Sequence, residues 1–339
     1  MKNHNNIIKA LALLFAAVSL TSCYEDFVKD FGHAGVYIAY QYDLRTFVIG
    51  ETDEVKMPVA LGGVMDNKED RAVRVSIDDS LLVKDISAII PVAESFRAID
   101  GLLGNAPVGL ASGDYVSTEV KAAGLKEITP MPAEYYATVG VQDMKIAKGR
   151  HTASFTVKRT DALLSDPNAF APYYAIAYKI DKADADSVIA EKSFAIVALK
   201  CENRFYGYWR RSGVVVSYDA DGNEIDRQRA GDSWTDANAY YLSTKDAKTV
   251  VSNKVAAASE EMELVFDGND VILSSASGNV SGTGKFNGSK LLQGRELYLT
   301  YKVTDGDGSY KEVSDTLRFR NRIRDGVSEW QDENPENYD

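Results

Sequence analysis

The chain has 339 residues, with 38 Lys and Arg against 50 Asp and Glu, for a formal net charge of −12. That balance argues against a nucleic-acid partner and against a basic face adhering to anionic lipid, both of which need clustered positive charge. Three histidines and two cysteines leave too little for a zinc centre built on Cys and His.

Lys2 and Lys9 precede an apolar run from Ala10 to Leu20. A basic start, an apolar middle and small residues before a cut are the parts of a secretory signal over residues 1–22. The run falls well short of the ~20 residues that cross a bilayer, so a permanent transmembrane helix is not expected. Leu20-Thr21-Ser22-Cys23 resembles the bacterial lipobox, which implies that Cys23 is lipidated and heads the mature chain. Tyr24-Glu25-Asp26 resembles the acidic export tag of Bacteroidota surface lipoproteins. With Gly32 and Gly35 around His33, residues 23–34 read as a tether. A lipid anchor in the outer membrane, facing the cell exterior, is the expected location.

Residues 35–201 read as an N-terminal domain of short strands. Arg71 to Ile77 and Thr152 to Lys158 alternate polar with apolar, as strands with one wet face do, and Gly62-Gly63 and Asp66 to Asp70 punctuate as turns. Tyr173 to Ile180 and Ser193 to Leu199 add further strands. The expected fold is an antiparallel, Ig-like β-sandwich. Leu81 to Lys126, rich in Ala, Gly and Leu, carries no assignable pattern. Cys201 closes an apolar strand. With Cys23 lipidated it has no disulfide partner and reads as a quiet buried thiol.

Residues 202–330 read as a second all-β domain. Gly213 to Tyr218 meets Glu224 to Arg229 across Asp221-Gly222, and Glu261 to Phe266 meets Val271 to Ser274 across Asp267-Gly268. Strands at Val280 to Phe286, Glu296 to Val303 and Glu312 to Phe319 continue the pattern. A meander of roughly six to eight strands tends to close on itself, so a small barrel is expected ahead of an open sandwich. From Asp325 on, an acidic tail is expected to be mobile except where Trp330 docks and seals a barrel end; residues 331–339 are the tail proper.

Met131-Pro132-Ala133-Glu134-Tyr135-Tyr136, then Met144 to Gly149, the Phe155 strand and Tyr173 to Ile180, resemble an N-terminal domain of unknown function in Bacteroidota surface lipoproteins. Met131 stands where that pattern usually has leucine. Asn203 to Trp209 and Trp330-Gln331-Asp332 resemble its C-terminal partner domain. The resemblance implies a protein used alongside SusC/SusD-like importers and, by analogy with SusE and SusF, a surface glycan-binding role. One fold serves many functions, so the analogy gives an expectation only.

A glycan site needs flat aromatic faces for sugar rings and planar polar groups for hydroxyls. Trp234, in the turn-rich Gly231 to Asp236, is the first candidate platform, with Tyr240 and Tyr241 following and Asp232 and Asp236 as polar partners. Phe205 to Trp209 is richer in aromatics, but its place at the start of a strand favours a core role for Trp209. Asp219 to Asn223 and Asp305 to Ser309 offer alternate oxygens for calcium, yet their glycines fall too early for an EF-hand and a hairpin reading is preferred. No nucleophile, metal or cofactor motif marks an enzyme, and no cofactor is expected. The expectation is non-catalytic glycan capture; the alternative is a structural or adhesive surface protein contacting an outer-membrane complex or a host surface.

Overall fold

The computed structural model describes residues 32–82, 119–120, 122–125, 128–231, 239–255 and 260–332. The signal, Cys23 and most of the tether lie outside these residues, as does most of the unassigned stretch after Leu82.

Two sheets form the first unit. One is ordered β10 (Ser187–Val188), β1 (Gly35–Tyr37), β3 (Glu54–Gly62), β8 (Thr152–Arg159) and β6 (Tyr136–Val139). The other is ordered β2 (Tyr42–Ile49), β11 (Phe194–Asn203), β9 (Tyr174–Ala183), β4 (Arg71–Ile77) and β7 (Lys145–Ile146), with β5 (Thr129–Pro130) added to β9. Their inner faces meet through residues such as Phe47, Met57, Phe155 and Tyr178, the last two edge to face at 5.2 Å. The sandwich is mixed rather than wholly antiparallel. β2 pairs with β11 in parallel along its whole length, and β1–β10 and β5–β9 are parallel too. Strands so distant in sequence are free of the hairpin constraint that forces antiparallel pairing.

β9 and β11 are buried on both faces. Ile176, Tyr178, Val197 and Cys201 face the sandwich core. Ala175, Ala177 and Ala198 face outward, where their small side chains let Val120 and Ile128 pack closely on the sheet. Burial pushes the Cys201 thiol up to about 12, which keeps it protonated and unreactive at neutral pH.

The second unit is a ten-stranded antiparallel sheet in which eight strands close into a barrel. These are β12 (Gly207–Tyr218), β14 (Ala239–Thr244), β15 (Thr249–Ser252), β16 (Met262–Asp267), β17 (Asp270–Ser274), β18 (Val280–Phe286), β19 (Glu296–Thr304) and β20 (Tyr310–Arg324). β20 pairs back onto β12 from Trp209↔Phe319 to Tyr218↔Tyr310, which removes the edges. Trp209, Leu242, Leu264, Leu297 and Leu317 fill the lumen. The curvature needs a residue without a side chain: a Cβ at Gly282 would come within 2.3 Å of the Thr300 carbonyl oxygen on the neighbouring strand.

The hairpin turns differ from the tight Asp-Gly type. The β12 strand joins β13 (Glu224–Ala230) through a longer loop, in which Gly222 N–H donates to Asp219 O at 3.1 Å. The β16–β17 turn centres on Gly268 and Asn269, since Asp267 pairs with Asp270. Asp325 (φ 53) and Gly326 (φ 79) do form a two-residue turn with both central residues left-handed. That turn joins β20 to β21 (Val327–Glu329), within the stretch expected to be a mobile tail. Asp332 fastens the chain beyond it, accepting from Leu292 N–H at 2.7 Å.

β11 ends at Asn203 and β12 begins at Gly207, so little chain separates the two units. Asn203 N–H donates to Thr244 Oγ1 at 3.0 Å, and its side-chain amide donates to Ala247 O at 3.0 Å. A second tie is ionic: Glu51, in the β2–β3 turn, accepts from Arg322 and Arg295 of the barrel, each with a 2.7 Å contact.

Candidate surface binding site on the barrel wall

Strand parity builds the site. Trp209 lies in the lumen, with its Nε1–H donating to Phe205 O at 2.9 Å, so its neighbour Tyr208 must point outward. On β14, Tyr240 and Leu242 point inward, which turns Tyr241 out. Tyr208 pairs with Tyr241 across the ladder, and their rings lie 4.8 Å apart, tilted by 51°.

The row continues on both sides. Asn321 of β20 sits beside Tyr208 at a register shift, and its amide donates to Ser328 Oγ at 3.5 Å. β21 pairs Arg322 with Glu329, and Trp330 is the next residue after that pair on one arm as Asn321 is the one before it on the other. Trp330 is 58% exposed and Tyr208 39%, while Ile323 adds exposed apolar surface two residues from Asn321. On the far side, Asn253 clasps Tyr241: its Oδ1 accepts from Tyr241 N–H at 2.9 Å and its N–H donates to Tyr241 O at 3.1 Å. The outer wall therefore presents, across neighbouring strands, Trp330, Asn321, Tyr208, Tyr241 and Asn253.

The row's electrostatics favour neutral hydroxyl donors. Burial, then the neighbouring Glu202 carboxylate, pushes the Tyr241 phenol up to about 12. Glu202 is held in turn: Thr244 Oγ1 donates to it, and Lys200 bridges it at 2.9 Å to Glu119 at 2.6 Å. Aromatic faces next to amide side chains can pack against the apolar faces of sugar rings and bond their hydroxyls.

The candidates named from sequence fare unequally. Tyr240 is corrected: it is only 5% exposed and packs in the barrel core, because it has the opposite parity to Tyr241. Tyr241 stands on the outer wall. Trp234, Asp232 and Asp236 lie outside the described residues. Trp330 does not seal a barrel end but lies open on the wall. Tyr208, Asn321 and Asn253 escaped the sequence reading. The signal for Tyr208 was present, since placing Trp209 in the core fixes Tyr208 outside.

The acidic turns are committed locally. Asp219 Oδ1 accepts from Asn223 N–H at 2.7 Å, Asp307 Oδ1 from Ser309 N–H at 3.0 Å, and Asp305 pairs with Lys311 at 2.9 Å. Among the described residues, no three His, Cys, Asp or Glu side chains converge on a possible metal position. His33 and His151 bond to Ser187 Oγ and Val64 O respectively.

No protein-family model matches the sequence, and no curated protein does. Among solved structures, a protein of unknown function from Bacteroides ovatus is similar at a TM-score of 0.59 and 20% identity, over 88% of this chain and 98% of that one. An auxiliary nutrient binding protein from Bacteroides thetaiotaomicron matches at a TM-score of 0.39 and 14% identity, over 86% and 96% of the two chains. A multidomain protein including DUF1735 from Bacteroides ovatus matches at 0.36 and 10%, over 88% and 100%. The first likeness shows a shared fold; the other two are too distant to carry an argument.

Proposed function

We propose that this chain is a surface lipoprotein, anchored in the outer membrane through Cys23, that captures a polysaccharide without cleaving it. Delivery to a SusC/SusD-like importer is the role that fits such capture. One observation carries the reading: an outward row of Trp330, Tyr208 and Tyr241, flanked by the amides of Asn321 and Asn253. Aromatic side chains placed on rigid strands offer contact area at little conformational cost, which suits a ligand that is mostly sugar face and hydroxyl. Trp234, Asp232 and Asp236 are proposed as further sugar contacts, on the strength of their residue types alone.

Affinity electrophoresis of the soluble mature chain through gels holding single polysaccharides tests the capture. At least one polysaccharide retards the wild type, Y208A and W330A migrate freely in it, and no shorter product appears on chromatography. Retardation by none of a broad panel rejects glycan capture, and a released product rejects the non-catalytic reading. Loss of labelled-lipid incorporation in C23A tests the anchor.

A further inference from the structure

The hairpin that carries one end of the aromatic row is held by the other domain. β20 leaves the barrel after Asn321 and turns at Asp325-Gly326 against the sandwich: Arg45 lies 3.8 Å from Asp325, and Arg324 donates to Thr52 Oγ1 at 3.3 Å. Arg322, 2% exposed, sits between the two units. Its Nη2 donates to Glu51 Oε2 at 2.7 Å and its Nη1 to Glu51 Oε1 at 3.2 Å. Its Nε donates to Glu329 Oε2 at 2.7 Å, and Glu329 also meets Arg324 at 2.5 Å. Arg322 is thus the sequence neighbour of Asn321, and Glu329 that of Trp330; the chain of charges ends on the two residues that extend the row beyond Tyr208.

We infer that Glu51 is a positioning residue for the aromatic row, acting through Arg322 on the β20–β21 hairpin; its consequence for binding rests on the proposed glycan capture. Two features set this contact apart from an ordinary surface ion pair. First, the Glu51 side chain is 13% exposed and that of Arg322 2%, so solvent does not compete for the pair. Second, the geometry is two-pronged, and a planar guanidinium fixed by a carboxylate at both nitrogens holds direction as well as distance. Burial by itself would raise the Glu51 carboxyl, but Arg322 and Arg295 hold it below its ordinary value, so it stays charged wherever the protein is folded at neutral pH. The sandwich then supplies no sugar contact of its own here. It fixes the angle at which Trp330 and Asn321 meet Tyr208.

Hydrogen exchange read by mass spectrometry on the mature chain decides the matter. In E51Q the amides of residues 322–329 exchange about tenfold faster or more, while those of β16 to β18 keep wild-type protection, which also shows that the barrel is folded. R295Q removes the other arginine on Glu51 but leaves the Glu51–Arg322 fork, and its 322–329 amides stay at the wild-type rate. In a polysaccharide that retards the wild type, E51Q is retarded several-fold less and R295Q as strongly as the wild type. Unchanged exchange at 322–329 in E51Q overturns the inference, as does an equal rise in R295Q. If no polysaccharide retards the wild type, glycan capture fails, and the exchange result still decides what Glu51 does.

Discussion

The inner and outer faces of the barrel wall use the same residue types to opposite ends. Inside, Arg211, Asp315 and Tyr301 are linked: Arg211 Nε donates to Asp315 Oδ1 at 2.8 Å, and Tyr301 OH donates to Asp315 Oδ2 at 2.8 Å. Burial pushes the Asp315 carboxyl up, against the pull of Arg211, and the whole group is sealed from solvent. Outside, Tyr208, Tyr241 and Trp330 keep surface to offer. What separates a core tyrosine from a surface one is therefore strand parity. Tyr240 and Tyr241 are neighbours in sequence, yet one belongs to each face.

The contrast is broken most forcefully from the inside. D315N strands the Arg211 guanidinium, whose side chain is 9% exposed, without its counter-charge. Orphaning a buried ion costs about 3–5 kcal/mol, so urea unfolding shows a drop of that size while folded protein is still retarded by polysaccharide. A loss under ~1 kcal/mol means the lumen pair is not structural.

From the outside, Y208A inverts the pattern. Polysaccharide affinity falls about tenfold or more, near 1.4 kcal/mol, while the unfolding midpoint barely moves. Equal losses of affinity and stability place Tyr208 in the core after all.

At the hairpin tip a pH profile sharpens the comparison. Burial raises Asp325 to about 6, more than Arg45 and Arg324 pull it down. An acid raised above its unfolded value of about 3.9 binds more protons folded than unfolded, so its contribution falls as pH climbs from about 4 to 6 and stays low above. D325N removes that slope, and asparagine tolerates the positive φ. By urea unfolding the variant is more stable than wild type at pH 8, by about 1–3 kcal/mol, and the gain vanishes near pH 4. A gain that persists at pH 4 has some other origin.

The smallest effect is expected of Y240F. Removing one phenol oxygen from the core changes stability by no more than about 1 kcal/mol and leaves retardation intact. Weakened retardation returns Tyr240 to the binding site.

Much of the barrel was legible because its information is local: alternation, turn residues and short connections place β12, β13 and β16 to β20, while β14 and β15, next to the polar stretch after Ala230, carry no strand assignment in the sequence. The same parity places Tyr208 once Trp209 is set inside. Other elements depend on distant partners. The β2–β11 ladder joins strands at the two ends of the sandwich, and no local pattern announces it. The β20–β21 hairpin looks like a charged tail, since Arg322, Arg324 and Glu329 are residues usually found in water. Arg322 is buried because Glu51, 271 residues away along the chain, meets it there, and Glu329 takes up its Nε–H. Complementary charge at that separation leaves no periodicity to read, and the sequence by itself sets Trp330 at a barrel end.

The parallel β2–β11 ladder has a mechanical consequence. Tension applied between the start of the sandwich and the barrel enters β2 at Tyr42 and leaves β11 at Asn203. In the ladder Tyr42 pairs with Ile196 and Asn203 with Ile49, so these points are at opposite ends. The load shears every rung together instead of unzipping them singly, and the sandwich resists pulling along the line between its first strands and the barrel.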